Sequence, residues 1–236
     1  MILPLVVLLL APPARAADSG GQSAMPVAGS VVRSKEWIVR RGKSREEEFI
    51  GDVHYDSSGV KLSSDWALFQ QASKDWKARG NVVLRKDLEN GDVIVAKGQT
   101  ARYSEATKAG ALDPAPGSRI PFTRTPADGS DPDHGEGERL TWQGEDWAAL
   151  NGRARVWGPR LQAWADTARY EPPAKKLSLR GGRPVARKVD EDGGWTTALK
   201  ADEIDAIDSP RRLQARGRVR GWLIFKDEAK FTEKPK

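Results

Sequence analysis

The chain has 236 residues, no cysteine, only two histidines and a formal net charge of +6 at pH 7. The lack of cysteine excludes disulfide cross-links and thiolate metal sites. His54 and His134 alone offer little for a zinc site or for histidine-based catalysis. The positive charge favours anionic partners, and it does not by itself distinguish lipid, glycolipid or an acidic surface.

The first residues predict a secretory signal peptide over residues 1–16. An apolar run from Ile2 to Ala11 precedes two prolines and a small-x-small site at Ala14-Arg15-Ala16. This run is shorter than the roughly 20 apolar residues that cross a bilayer, although a membrane anchor that is not cleaved is the alternative. Residues 17–30, rich in Gly, Ser, Ala and Pro, predict a flexible leader. We therefore expect a mature protein in the periplasm, with no nucleic acid among its partners.

A strand signature recurs through the rest of the chain. Large apolar residues and small Ala or Gly residues occupy alternate positions, with polar residues between them, so one face of each strand is apolar. The clearest copies are Trp76–Leu84, Leu150–Val156 and Leu213–Gly221. Glycines recur at intervals of roughly 30 residues, as in stacked hairpins, and these are Gly51, Gly80, Gly117, Gly152, Gly181 and Gly217. The pattern predicts an all-β domain over residues 31–225, followed by a charged tail at 226–236.

Residues 113–137 depart from this pattern. They contain five prolines among Asp and Gly, namely Pro114, Pro116, Pro121, Pro126 and Pro132. We expect a loop insertion within one repeat unit, either functional or simply disordered.

The small residues inside the strands have three interpretations. They permit a sharp bend of the sheet, they leave a groove open for an apolar ligand, or they let two sheets pack closely. If a groove exists, strand parity assigns these side chains to it: Trp76, Val82, Leu84, Ile94, Tyr103, Trp142, Leu150, Val156, Leu161, Ala163, Tyr170, Leu177, Leu213 and Val219. Basic residues on the opposite parity form either a solvated face or a rim that binds phosphate, and these are Arg79, Arg153, Arg155, Arg216 and Arg218.

No pattern in the chain predicts catalysis. The acidic clusters at Glu46–Glu48 and Asp202–Asp205 lack the spacing of a calcium loop, and neither a nucleophile elbow nor a phosphate-binding glycine loop is present. Asp202 recurs in the repeat at Asp65 and Asp166, which predicts a structural position. We expect no enzyme activity, no catalytic residue, no metal and no cofactor.

Three stretches resemble a known family, the OstA-like repeat of periplasmic lipopolysaccharide-export proteins. They are Leu150–Tyr170, Trp76–Leu84 and Leu199–Ile207. The repeat occurs in LptA, in its partner LptC and in the N-terminal domain of LptD. The resemblance covers about residues 31–225 and implies a β-jellyroll, or β-taco, of two antiparallel sheets built from repeated short strands. The predicted cleavage site departs from the membrane-anchored LptC form.

The resemblance also implies a function. A groove between the sheets would take the acyl chains of lipopolysaccharide and leave the sugars in water. Edge strands would join the protein to LptC-like and LptD-like components, or head to tail to further copies of itself, in a bridge from the inner to the outer membrane. The alternatives are a β-solenoid or adhesin-like scaffold of the envelope with a filled core, and an envelope hydrolase with paired carboxylates.

Overall fold

The computed structural model describes residues 31–42, 44–57, 60–88, 91–144, 146–159, 161–189, 195–208 and 211–225. The predicted signal peptide, leader and charged tail lie outside these residues. The described residues form strands and turns, which confirms the all-β prediction, and none of them belongs to a helix with the length and apolar character of a membrane span.

The strands follow the chain in this order: β1 Val31–Arg33, β2 Glu36–Arg41, β3 Arg45–Ser57, β4 Val60–Gln70, β5 Asp75–Asp87, β6 Val93–Ser104, β7 Ala109–Asp113, β8 Ile120–Thr125, β9 Asp133–Gly137, β10 Arg139–Gln143, β11 Trp147–Trp157, β12 Leu161–Glu171, β13 Lys176–Arg180, β14 Val185–Val189, β15 Trp195–Lys200, β16 Glu203–Asp208, β17 Arg211–Arg216 and β18 Arg220–Phe225.

One antiparallel sheet of 18 strands folds over on itself into two facing halves. The long strands β3, β4, β5, β6, β11 and β12 cross the fold and belong to both halves, whereas each shorter strand belongs to one. The first half runs β2-β3-β4-β5-β6-β7-β10-β11-β12-β13-β16-β17. The second half runs β1-β3-β4-β5-β6-β8-β9-β11-β12-β14-β15-β18. The halves join along the bends and open on the opposite side, at the hairpin turns.

The recurrent glycines form the bends between the halves. All of the glycines singled out in the sequence have a positive φ, from 66° at Gly217 to 78° at Gly80. At four of these glycines an acidic side chain lies where a Cβ would be, and the pairs are Gly80 with Asp65, Gly152 with Glu138, Gly181 with Asp166 and Gly217 with Asp202. Only glycine provides both the backbone conformation and this space.

At three of these four bends, the residue after the glycine binds the same acid. Asn81 Nδ2 donates to Asp65 Oδ2 at 2.9 Å, and Arg153 Nε donates to Glu138 Oε1 at 2.7 Å. Arg218 Nη2 donates to Asp202 Oδ1 at 2.7 Å, and this hydrogen bond lowers the pKa of Asp202. The recurrent Asp positions are therefore structural, as the repeat predicted, because they stabilise the bends.

Replacing Gly80 by alanine should destabilise the protein more than replacing Gly117 by alanine. Both glycines have a φ of 78°, so both variants lose about 1–2 kcal/mol to the left-handed backbone. A Cβ at Gly80 would also displace the Asp65 carboxylate, which adds about 1 kcal/mol for the weakened hydrogen bond, whereas nothing lies within 4 Å of the Gly117 position. Urea unfolding of the two variants measures the difference, and equal losses would contradict this account of the bend.

The strand register aligns the inward side chains in rows across the facing halves. In the first half, the row nearest the bends consists of Phe49, Ala67, Ala78, Ala101, Leu112, Leu140, Leu150, Ala168, Leu179, Ile204 and Ala215. A second row lies towards the open side and contains Phe69, Trp76, Tyr103, Gly110, Trp142, Ala148, Tyr170, Leu177, Ala206 and Leu213. Most of these residues belong to one hydrophobic core.

The segment 113–137 forms strands, and the prediction of a loop insertion there is wrong. It contains β8 and β9, which occupy the place between β6 and β11 in the second half. Phe122 faces inward beside Ala96 and Gly135. The prolines lie outside the strands or at Pro121, which is exposed, so they interrupt the sequence pattern without interrupting the sheet.

Candidate functional site

A cavity of about 40 Å³ lies between the two halves near the N-terminal end of the sheet. Val53, Leu62 and Leu84 line it from the second half. Ala67, Ala78, Ala101, Trp76, Tyr103 and Trp142 line it from the first half. Its walls are mainly apolar, as in small-molecule sites, although its volume is well below the roughly 300 Å³ at which such sites begin.

The cavity exists because one row of the core changes from small to large residues. Across β4, β5 and β6 this row contains Ala67, Ala78 and Ala101, and it continues as Leu112 on β7 and Leu140 on β10. The alanines leave the space between the halves empty, whereas the leucines close it. Three alanines therefore delimit an apolar space over part of the sheet.

Aromatic side chains form the wall of the cavity towards the open side. The Trp76 ring lies 4.6 Å from that of Phe69 on the same half and 5.5 Å from that of Tyr55 on the facing half. Trp76 Nε1 donates to Glu105 Oε1 at 2.8 Å, which orients the indole. Trp76 is thus held between the two halves, where anything entering the cavity would contact it.

Trp142 closes the cavity at its far end. Its side chain is 2% exposed and lies flat over Gly110, its cross-strand partner, where a Cβ would overlap the indole ring. Its Nε1 atom is buried and has no hydrogen-bond partner. The Tyr103 hydroxyl is also buried without a partner, and burial raises the pKa of Tyr103 to about 12.

The structure places the predicted groove residues in three settings. Trp76, Leu84, Tyr103 and Trp142 line the cavity. Buried in or packed against the hydrophobic core are Val82, Ile94, Leu150, Val156, Leu161, Ala163, Tyr170 and Leu177. Leu213 and Val219 are exposed at the C-terminal end of the sheet. The sequence analysis missed Val53, Tyr55, Leu62 and the three alanines, which have the right strand parity but were passed over in favour of larger residues.

The predicted rim cations lie on the outer face and along the bends. The Arg79 guanidinium lies 4.2 Å from the Trp66 ring centroid, and that of Arg155 lies 4.7 Å from the Trp157 ring centroid. Arg153 and Arg218 bind the acids of the bends. Arg216 is 3.6 Å from Asp205. Their role in binding phosphate stays a prediction.

A buried ionic cluster, unforeseen in the sequence, lies on the inner face of the second half. Arg124 on β8 is 6% exposed; its Nε donates to Asp92 Oδ2 at 2.9 Å and its Nη1 to Asp133 Oδ2 at 3.0 Å. The Ala127 amide donates to Asp92 Oδ1 at 2.9 Å. Burial raises the pKa of Asp133 in spite of Arg124. Strand alternation from Phe122 would have placed Arg124 inward, had the segment been recognised as a strand.

The two ends of the sheet expose large apolar side chains. Val31 and Trp37 are exposed on β1 and β2 at one end. Trp222 and Leu223 on β18, like Leu213 and Val219, are exposed at the other end, where Trp222 is 46% and Leu223 55% accessible. Among the described strands, β1, β2, β17 and β18 each pair on one side only. The ends are therefore unpaired sheet edges with apolar surface.

Over the ranges that the structure covers, no three His, Cys, Asp or Glu side chains are grouped so as to hold a metal ion.

No family model and no curated protein matches the chain. Among solved structures, the chain is similar to LptH, the LptA homologous periplasmic component of the conserved lipopolysaccharide transport device from Pseudomonas aeruginosa. The identity is 12% and the TM-score 0.38, over 71% of this chain and 95% of that chain. The likeness is one of fold alone.

Proposed function

We propose that this protein is a periplasmic carrier that binds the acyl chains of lipopolysaccharide and transfers the lipid between the inner and outer membranes. The observation that carries the proposal is the apolar cavity between the two halves, which Ala67, Ala78 and Ala101 line. The predicted signal peptide and the OstA-like stretches support the location and the class of ligand.

The chemistry of the cavity fits an acyl chain. Burying an aliphatic chain is favourable by about 0.8 kcal/mol for each methylene group. Sugar groups would lose their hydrogen bonds to water inside such walls, so they stay outside. Because the binding itself is favourable, net transport requires an energy source elsewhere, such as a partner ATPase.

The unpaired edges support the second part of the proposal, which concerns partners. An exposed edge strand can accept a strand from another chain through backbone hydrogen bonds. The partners we propose are LptC-like and LptD-like components, or a second copy of this chain joined head to tail. Trp222 and Leu223 would lie in such a junction, and Trp37 would lie at the opposite end.

A filled scaffold is the competing function. Its support is the core beyond Trp142, where Leu150, Val156, Leu177 and Ile204 are 2% exposed or less. A scaffold with a filled core would not require the cavity that Ala101 lines.

Replacing Ala101 by tryptophan should abolish lipid binding with only a limited loss of stability. The indole would fill the cavity, so the retention of lipopolysaccharide by the purified protein should fall at least about tenfold. Ala163→Trp is the matched variant for a filled region: Ala163 is 1% exposed between Val156 and Ala186, so overpacking there should cost about 1–3 kcal/mol of unfolding free energy.

Lipopolysaccharide binding and urea unfolding are measured on both variants, with Ala72→Trp in the exposed β4–β5 turn as the control for an added indole. Undiminished binding by Ala101→Trp would exclude the cavity as the lipid site. A protein that binds no lipopolysaccharide before any substitution would exclude the proposed function and favour the scaffold.

A further inference from the structure

We infer that the outer face of the first half has a second binding site, separate from the cavity, for a phosphorylated saccharide. The site is a groove of about 470 Å³, a volume within the range of small-molecule sites. Strand β7 forms its floor, β5 and β6 form one wall, and β10 and β11 form the other. The inference goes beyond the proposed function, because it concerns another surface and another chemistry.

The groove opens on the outside of the fold. The residues that line it all belong to the first half, whereas both halves line the cavity. The inward side chains of Tyr103 and Trp142 are only 7% and 2% exposed, so the open space lies on the opposite face of their strands. Strand alternation directs Lys77, Arg102 and Trp147 to that face. A ligand could therefore enter the groove directly from water.

The floor of the groove consists of small residues beside a fixed indole. Residues 109–111 of β7 are Ala, Gly and Ala, and Trp147 on β11 lies across β10 from them. The Arg169 guanidinium lies 4.5 Å from the centroid of the Trp147 ring. Arg169 belongs to β12, on the side of β11 away from the groove, so it fixes the indole without filling the groove. The apolar face of a sugar ring can pack against such an indole.

Two cations lie side by side in the opposite wall. Lys77 on β5 and Arg102 on β6 are direct cross-strand partners, and both are exposed. Like charges directly opposite each other destabilise a sheet. Neither side chain forms an ion pair with any residue that the structure describes. A bound phosphate group would accept hydrogen bonds from both and would remove their repulsion.

Other basic side chains on this face, from β2 to β13, have partners. These pairs are Arg40 with Glu48, Arg79 with Trp66, Arg139 with Asp113, Arg169 with Glu171, Lys176 with Glu171 and Arg180 with Asp205. The contrast shows that the positive charge of Lys77 and Arg102 is available to a ligand, whereas that of their neighbours is compensated within the protein.

Polar side chains of the groove suit the hydroxyl groups of a sugar. Asp75 and Ser104 are cross-strand partners in the row nearest the hairpin turns. An ionised carboxylate only accepts hydrogen bonds, whereas a serine hydroxyl donates and accepts them. Thr141 Oγ1 accepts a hydrogen bond from Asn151 Nδ2 at 2.9 Å, so its own proton is available to a ligand. Sugar hydroxyl groups, which both donate and accept, match this mixed set.

The rows of the outer face orient the ligand. Lys77 and Arg102 lie one row nearer the bends than Asp75 and Ser104. The phosphate would therefore lie towards the bends and the sugar hydroxyl groups towards the hairpin turns, where Asp75 would repel a second phosphate. Both the sugar head group of a lipid and a soluble sugar phosphate have this chemistry, and the experiment separates the two.

The test measures binding of four probes to the full chain by isothermal titration calorimetry. We expect glucose 6-phosphate to bind at least about tenfold more tightly than glucose or inorganic phosphate. Deacylated lipopolysaccharide is the fourth probe. Tighter binding of this probe than of glucose 6-phosphate would assign the site to a lipid head group, and equal or weaker binding would assign it to a soluble sugar phosphate.

Variants of the two walls test the assigned contacts. Lys77→Gln combined with Arg102→Gln should lower the affinity for glucose 6-phosphate at least about tenfold and leave that for glucose unchanged. Trp147→Leu should weaken the binding of both sugars alike. Lys97→Gln is the matched control: Lys97 is exposed on the same strand as Arg102 but faces outward in the second half, opposite Val83. It should change neither affinity.

Two further measurements separate loss of binding from loss of folding and locate the ligand. The double variant should unfold at the same urea concentration as the parent or a higher one, because it removes a repulsion. In proton–nitrogen correlation spectra, the Trp147 indole signal, assigned by its loss in Trp147→Leu, should shift when glucose 6-phosphate is added.

Three results would overturn the inference: equal affinities for glucose 6-phosphate and inorganic phosphate, an unshifted Trp147 signal, or an unchanged affinity in the double variant. Absence of binding by any of the four probes would overturn it as well. The groove is separate from the cavity, so the retention of lipopolysaccharide acyl chains in the cavity is tested independently by Ala101→Trp.

Discussion

Replacing Arg124 by methionine should lower the free energy of unfolding by about 3–5 kcal/mol. The guanidinium satisfies Asp92 and Asp133, and all three side chains are less than 10% exposed. Methionine keeps much of the apolar volume but removes the guanidinium from both buried carboxylates. The effect is the cost of buried charge that has lost this partner, so it should exceed that of removing any exposed ion pair.

Arg153→Met is the matched control. Arg153 pairs with Glu138 through a hydrogen bond of similar length, but the two side chains are 78% and 49% exposed. Water solvates the remaining carboxylate there, so the loss should stay below about 1 kcal/mol. Urea unfolding of both variants measures the contrast. Equal losses would contradict the assignment of Arg124 to a buried cluster.

The pH dependence of Arg124→Met gives a second signature. Burial already raises the pKa of Asp133 in the folded protein, and loss of the cation raises it further. A carboxyl group whose pKa is higher in the folded than in the unfolded state destabilises the fold when ionised, and this cost disappears as pH falls below the folded pKa. The difference in stability between Arg124→Met and the parent should therefore shrink as the pH falls from 7 towards 4. A difference that is independent of pH would contradict the mechanism.

Replacing Leu223 by arginine should abolish end-to-end association. Trp222 and Leu223 are exposed on the edge strand β18, which also carries Arg220 and lies next to the bend at Arg218. An additional cation would be buried against the partner strand without a counter-ion, and edge charges of this kind oppose strand pairing. We expect at least about a tenfold loss of affinity for a second copy or for an LptC-like or LptD-like partner.

Sedimentation equilibrium of the parent and the variant measures this association, together with crosslinking to co-expressed envelope components. Asp131→Arg, on the exposed β8–β9 turn, makes a charge change of the same sign away from both edges and should leave association unchanged. A parent protein that remains monomeric and forms no crosslinks would exclude the edges as junctions. Association that survives in Leu223→Arg would place the junction elsewhere.

Local sequence rules predicted the strands, and they offered the bends as one of three interpretations of the small residues. The alternation of apolar and polar residues predicted which side chains of Trp76–Leu84 and Leu150–Val156 face inward, because side chains of a strand alternate between its two faces. The recurrent glycines mark the bends, because glycine readily adopts the positive φ that each bend has. The same rules failed at residues 113–137, where five prolines interrupted the alternating pattern and hid β8 and β9.

The candidate site was predictable only in part. Trp76, Leu84, Tyr103 and Trp142 were on the expected face and do line the cavity. Val82, Leu150 and Val156 have the same parity but are buried in a packed core. The alternation along a strand predicts on which face of the sheet a side chain lies. It does not predict which residues of the facing half lie opposite that side chain. Whether a row encloses space depends on the size of residues that are distant in the sequence.

The sequence by itself determined the all-β class, the inward faces of most strands and the positions of the bends, because each depends on a residue and its near neighbours. The tertiary structure alone decided where the interior is empty. Ala67, Ala78 and Ala101 adjoin one another only after three strands have paired, and Trp142 closes the space from a strand more than one repeat further along. Arg124, Asp92 and Asp133 likewise become a buried cluster only when β8 and β9 join the second half. Packing and desolvation act between side chains that the fold brings together, so no local pattern records them.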